Sequence, residues 1–337
     1  MNLSGYSVLA MISAKRRLIV RQLRIIMKRF CLLTSGLAAA LWLSARPAQA
    51  QILGDHYLAG TEGIQAGTLP GPGIYFDDIN WFGDLDTHDS VFRTPISSYV
   101  NEPRLRWVTK LKLLDADYGV ELMVPWGYQE DSVSPTSAPG TTIHSSQYEL
   151  HDLEISPLLL GWHWQHFDLT AGYAFWVPTG DDSDMDPGNF LPPAQLHWWE
   201  HMLTLGGTWY PDAAHQWSLS DLNHYEINQS CDSSITIENG QLFTSEWGIG
   251  RMMGKYINLG IIGNCSVQTT ETREYFPIVT YTTYAHVSVE VGPELKVNVP
   301  KYDFSVALRY LRELYGGPDY AESFDLNIVA LTLSKRF

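Results

Sequence analysis

From residue 73 onward the chain falls into twelve stretches of alternating apolar and polar side chains, and every second connection between them is short. The stretches lie at approximately 73–84, 99–111, 117–129, 148–164, 167–178, 197–210, 215–229, 240–253, 256–269, 284–297, 302–313 and 323–337. A period of two marks a strand with one oily face. Tyr, Trp, Val, Thr and Leu fill the stretches, and Gly, Pro, Asp and Asn separate them. The short connections are LDADY, QHF, PDAAHQ, GKY and VPKY; the long ones are 85–98, 130–147, 179–196, 230–239, 270–283 and 314–322. A soluble sandwich gives no reason for alternate loops to be long. A barrel in the bacterial outer membrane does, with short periplasmic turns and long outside loops. The expected fold is therefore all-β, a transmembrane antiparallel up-and-down β-barrel of about 12 strands over 73–337.

The strand faces agree with that reading. In 197–210, Trp199 and Trp209 share one face with Leu203 and Leu205. Ten residues at ~3.3 Å each, tilted by ~40°, rise ~25 Å, the height of an apolar band between aromatic girdles. Tyr118, Val120, Leu122 and Val124 repeat the pattern, as do Phe304, Val306, Leu308 and Tyr310. Charges facing lipid are costly, so parity assigns Arg104, Arg106, Glu121, Glu246, Glu290, Arg309 and Glu313 to the lumen, with Lys110, Lys112 and Glu200 beside them. There they either brace the barrel or line a pore.

Residues 1–50 read as an export signal. Lys28 and Arg29 precede an apolar run, Cys31 to Ser44, too short to span a bilayer, and Ala48-Gln49-Ala50 is a small-x-small cleavage site. Cleavage is expected after Ala50. Residues 1–26 are either a long basic region or an upstream extension, with Met27 as the alternative start to Met1. Segment 1–50 carries eight Lys+Arg and no acidic residue. Its removal leaves 14 basic against 37 acidic residues, a net charge of −23. That balance excludes nucleic acid as a partner. Cys231 and Cys265 remain, free or bonded. Segment 51–72, rich in Gly and Pro, is expected as a periplasmic N-terminal segment or a plug. The last stretch closes on Phe337, a terminal aromatic of the kind read by the barrel-assembly machinery, which is expected as a partner. Lys335 interrupts its apolar face.

Three apparent chemical motifs fit their chemistry poorly. His197-x-x-Glu200-His201 matches a zinc-protease pattern, but the metal geometry needs a helix; on a strand Glu200 points away from both histidines. His286-x-Ser288 matches the His–Ser pair of outer-membrane lipid hydrolases, in which the pair faces lipid. Here Val287, Val289 and Val291 take the lipid face. The loop with Asp182, Asp184 and Asp186 is a weak Ca²⁺ candidate, with Pro187 and Pro193 where a calcium loop needs Gly and Glu. No catalytic residue, resident metal or cofactor is expected.

HYLAGTEGIQAGTLPGPGIYFDDINWF (56–82), YGVELMVPW (118–126), ISPLLLGWHW (155–164), FWVPTGDD (175–182), LGIIGNC (259–265), VGPEL (291–295) and YLREL (310–314) occur in that order. Together they resemble the phenol meta-pathway degradation family of outer-membrane proteins. Asn264 and Cys265 depart from it, standing where that family tends to carry aromatics. The resemblance implies a barrel that transports small hydrophobic or aromatic solutes. The expected function is an outer-membrane channel working by passive or gated diffusion, with membrane lipid and such a solute as partners. A lipid hydrolase and a closed structural barrel are the alternatives.

Overall fold

The structure, a computed structural model, describes residues 56–88, 92–135, 142–180, 198–232, 236–275, 280–283, 287–315 and 323–337. Segment 1–50, the aspartate loop, His197 and His286 lie outside the described residues. Among the described residues no helix is long and apolar enough to cross a membrane.

In chain order the strands are β1 (Gly73–His88), β2 (Phe92–Leu113), β3 (Ala116–Met123), β4 (Trp126–Pro135), β5 (Ile143–Leu150), β6 (Leu153–Trp164), β7 (Phe167–Val177), β8 (Glu200–Trp209) and β9 (Trp217–Asn228). They continue as β10 (Cys231–Asp232), β11 (Thr236–Glu238), β12 (Leu242–Met253), β13 (Ile257–Gln268), β14 (Thr272–Tyr275), β15 (Thr280–Thr283), β16 (Val287–Val299), β17 (Phe304–Tyr315) and β18 (Ser323–Arg336). Twelve of these close an antiparallel barrel in the order β1-β18-β17-β16-β13-β12-β9-β8-β7-β6-β3-β2, with β2 returning to β1. The seam runs from Tyr75 opposite Arg336 to His88 opposite Ser323. Phe337 extends it by donating its N–H to the Ile74 carbonyl, 2.9 Å away. The four short strands β10, β11, β14 and β15 form a separate sheet beyond the long-loop end.

The short connections gather at one rim, here the turn end. Leu114 and Asp115 both have positive φ, as a two-residue hairpin turn matching strand twist requires. In the turn after β8, the Asp212 carboxylate accepts from the N–H groups of Gln216 and Trp217, both at 2.9 Å. Those bonds hold its pKa below the usual carboxylate value. Lys112, expected in the lumen, is instead exposed at this rim and bonds Asp117. A register irregularity between Val108 and Lys112 breaks the parity that the sequence pattern assumes. Lys110 is exposed there too.

The barrel is inverted relative to a soluble one. Leu203, Ile249, Leu259, Ile261, Leu295 and Leu308 are exposed on the outside. Glu102, Glu200, Glu226, Glu246 and Glu294 are fully buried inside. Such a continuous apolar exterior is an aggregation surface in water and a solvated one in lipid. Trp199 and Trp209 flank β8, and Trp199 stacks on Phe175 at 6.1 Å between ring centres.

One side of the wall is taller. β1 and β2 run 16 and 22 residues, against the ~9–11 that a tilted crossing needs. β2 pairs through its turn-end half with β3 and through its loop-end half with β4. The exchange falls at Pro125, which has no N–H to continue the β3 ladder. Val124 N–H donates to the Pro103 carbonyl and His151 N–H to that of Pro125, at 3.2 and 2.9 Å. The stretch expected as one strand over 117–129 is thus two, and β4 and β5 form a hairpin added to the rim. The expected loop 85–98 is largely strand as well.

Candidate functional site

Residues 56–69 lie inside the barrel, and Gly71 is exposed at the turn-end rim. Their partners are inward side chains on strands all around the wall, which only an axial path can reach. At the loop end, His56 Nδ1 lies 2.7 Å from Glu200 and Nε2 lies 2.8 Å from Asp152. Deeper, Gly60 N–H donates to Glu246 at 2.7 Å, and Ile64 N–H to Glu294 at 3.0 Å. Toward the turn end, the Thr68 hydroxyl is hydrogen-bonded to Asp168 and Thr208 at 3.1 and 2.8 Å. The segment therefore descends from the loop end to the turn end, where β1 begins.

Apolar contacts seat it too. Ile64 packs with Ile79, Trp81, Ile262, Leu311 and Ala330. Tyr57 packs with Ala174, Trp176 and Met202. Burying a side chain such as Ile64 is worth ~1.5–3 kcal/mol. Backbones touch directly at Gly67: a Cβ there would sit 2.3 Å from the Gly207 backbone of β8. At Gly63, with φ of +64°, a Cβ would sit 2.0 Å from the Glu294 carboxylate. Both positions need the missing side chain of glycine.

The sequence-derived lumen residues fall into four places. Arg104 and Arg106 meet mid-barrel. Arg104 Nη2 lies 3.0 Å from Asp77 and also bonds Glu62, while Arg106 bonds Glu121 and lies 3.3 Å from Glu62. Across the lumen Arg309 bonds Glu294 at 2.8 Å and Thr332 at 2.9 Å. Glu246 holds Gly60. Glu290 accepts from the Asn264 amide at 3.0 Å, and Glu313 stands opposite it across the β16–β17 pair. Asp77 and Glu294 are on the same parity and were legible by it. His56 and Glu62 sit in a segment without periodicity, where no sequence signal marks them.

Glu290 and Glu313 line a chamber of about 240 Å³ at the loop end, floored by His56, Tyr57 and Leu58 and walled by Trp81 and Trp176. A smaller cavity of about 60 Å³ flanks the segment near Glu62, Arg104 and Arg106. Ser288 lines the larger chamber, on the inner face and away from lipid. Val287 is buried, so that face is covered at the loop end, where the alternation had left it open to lipid. Glu200 is buried inside while its neighbour His201 meets the Tyr173 hydroxyl at 2.8 Å, so the two do not share a site. Cys265 is a free thiol.

His56 titrates abnormally. Burial disfavours its cation, but the carboxylates of Glu200 and Asp152 more than compensate and raise its pKa from 6.5 to about 9. A raised folded-state pKa stabilises below 6.5, and that contribution is lost as pH rises through 9. It is on the order of 3 kcal/mol. Amide exchange at residues 57–60, corrected for its intrinsic pH dependence, is therefore expected to accelerate between about pH 7 and pH 10. His56→Gln should abolish that step; an unchanged profile in the variant would assign it to another group.

A family model described as "Putative MetA-pathway of phenol degradation" matches residues 80–323. A search of curated proteins returned no relative. Among solved structures, the chain is similar to the COG4313 outer membrane channel from Pseudomonas putida F1. The identity is 13%, the match covers 80% of this chain and 97% of that one, and the TM-score is 0.56. The TodX monoaromatic hydrocarbon channel matches at 10% identity over 80% and 91% of the two chains, with a TM-score of 0.46. The translocator domain of autotransporter NalP from Neisseria meningitidis matches at 9% over 80% and 90%, with a TM-score of 0.43. At these identities the likeness is one of fold.

Proposed function

This chain belongs to the phenol-degradation MetA-pathway family, and on that premise we propose that it is an outer-membrane channel for small hydrophobic or aromatic solutes, gated by its own N-terminal segment. The turn end faces the periplasm and the loop end the outside, following the rule of short periplasmic turns. The observation that carries the reading is what fills the lumen. A barrel closed for strength is filled by side chains of its own wall. Here the bore holds residues 56–69, a segment outside the barrel's hydrogen-bond ladder, attached through side chains and a few backbone amides. Such a filling can leave without unpairing a strand. Of the wall charges Arg104, Arg106, Glu121, Glu246, Glu290, Arg309 and Glu313, the first two and Glu246 hold the segment, and all seven line the path when it moves. Ser288 opens to the chamber rather than to lipid, which disfavours lipid hydrolysis.

Purified protein refolded into liposomes should admit benzyl alcohol and similar single-ring solutes, read as swelling rates above those of empty liposomes. Equal rates with and without protein, for every aromatic tried, would remove the channel reading. The fold itself predicts heat-modifiable mobility on gels, which certifies that the barrel is intact in either case.

A further inference from the structure

Positive charge is distributed unevenly around the barrel. No Lys or Arg occurs between Lys112 and Arg251, so β3 to β9 carry none. From β12 to β18 the turn end carries four on its outer side and rim. Arg251 lies on β12, Lys255 in the turn before β13, Lys301 in the turn before β17, and Lys335 on β18. The strands β12, β13, β16, β17 and β18 are consecutive in the wall, so the four cations form one arc.

Each of the four lies against an exposed aromatic ring. Arg251 stands 5.1 Å from the centre of Trp217, Lys255 5.3 Å from Tyr256, Lys301 5.2 Å from Tyr302 and Lys335 5.7 Å from Phe337. A ring holds a cation in place without neutralising it. Among the described residues, the ion pairs include none of the four. Asp303, in the same turn as Lys301, is the arc's exposed side-chain carboxylate and pairs with none of them. In the neighbouring turn Asp212 is occupied by backbone N–H groups. Lys112, outside the arc, is by contrast matched by Asp117. Next to the arc, toward the loop end, Ile249, Leu259, Val297 and Leu308 are exposed on the outside. The cations and their rings therefore sit at the edge of the hydrocarbon band, the level of lipid headgroups.

We propose that this arc is a docking surface for anionic glycerophospholipid, whose headgroup phosphates are held by Arg251, Lys255, Lys301 and Lys335. The partner lies in the membrane plane, because the cations are continuous with the apolar wall below the headgroups. It is anionic, because four cations without carboxylate partners face it. Phosphatidylcholine carries an ammonium beside its phosphate, which the same cations repel; phosphatidylglycerol carries the phosphate alone. A basic residue at a membrane surface favours an anionic lipid by roughly fivefold. The lipid gathers on one side of the barrel, since β3 to β9 offer it no cation. The inference goes beyond the channel reading and rests only on the barrel's place in a membrane.

Native mass spectrometry of the refolded intact protein tests it, with phosphatidylglycerol and phosphatidylcholine of the same acyl chains supplied in equal amounts. The first phosphatidylglycerol retained should exceed the first phosphatidylcholine by about tenfold, two basic residues meeting one phosphate. Lys255→Gln with Lys301→Gln, both in turns outside the strand ladder, should lower that ratio by at least about fivefold. Adding Arg251→Gln and Lys335→Gln should bring it near unity. Arg93→Gln with Arg273→Gln, at the loop end, should leave it unchanged. The wild-type ratio needs no variant to fold, and heat-modifiable mobility checks those that are made. A wild-type ratio near unity, or a preference that survives all four substitutions in the arc, overturns the proposal. So does displacement of the lipid by an excess of inorganic phosphate, which would make the arc a site for the free ion. Liposome swelling reads the channel separately, so either reading can fail while the other stands.

Discussion

A chain lacking residues 56–72 should conduct on the order of tenfold more in planar bilayers than the intact protein, because twelve strands enclose a bore wider than the eight-stranded barrels that side chains alone can fill. The wall survives the deletion. Its ladders run from residue 73 onward and close on themselves between β1 and β18. What is lost is the axial filling and its anchors at Glu200, Glu246, Glu294 and Asp168. Inner carboxylates then face water, which solvates them. Unaltered conductance, in a barrel shown intact by its gel mobility, would mean that the loops above the chamber set the resistance.

Replacing Arg104 with Met should cost about 3–5 kcal/mol of stability, the usual penalty for removing one partner of a buried ion cluster. The cluster holds two guanidinium groups against three carboxylates, Glu62, Asp77 and Glu121. Arg104 touches all three and is itself buried. Its loss leaves Asp77 without the 3.0 Å partner on the neighbouring strand and leaves Glu62 to Arg106 alone. Urea unfolding in lipid vesicles, followed by tryptophan emission, measures the loss. Adding Glu62→Gln to Arg104→Met should recover part of it, since the excess negative charge falls by one; strictly additive losses would show that the pair does not interact.

How far the sequence foretold the molecule depended on where each residue sits relative to lipid. The stretch expected at 167–178 is β7 at Phe167–Val177, and that expected at 256–269 is β13 at Ile257–Gln268. In both, one face meets hydrocarbon and the other a polar bore, so the alternation is sharp. Above the band both faces are wet. Asp84 and Asp86 then interrupt the pattern, and the tall ends of β1 and β2 read as loop. Inside, parity placed the charges but not the oil. Ile79 and Trp81 point inward because Ile64 arrives to meet them, and nothing periodic in 56–72 announces that arrival. The chamber was hidden for the same reason: its floor belongs to one segment and its walls to strands far apart in the chain.

The inner segment has a consequence for how the molecule comes to exist. Its first described residues reach the loop end, yet the strand that follows starts at the turn end and pairs with the last strand of the chain. The seam joins residues some 250 apart in sequence, such as Asn80 and Leu331, a separation that makes closure late and slow. Assembly is therefore a problem of order, a ring and the thread within it. If the thread lies in place first, the cylinder is wrapped around its own beginning. If the ring closes first, the leading end must be drawn through it. Pulse-labelling a cysteine placed in the segment as the seam forms would tell these histories apart.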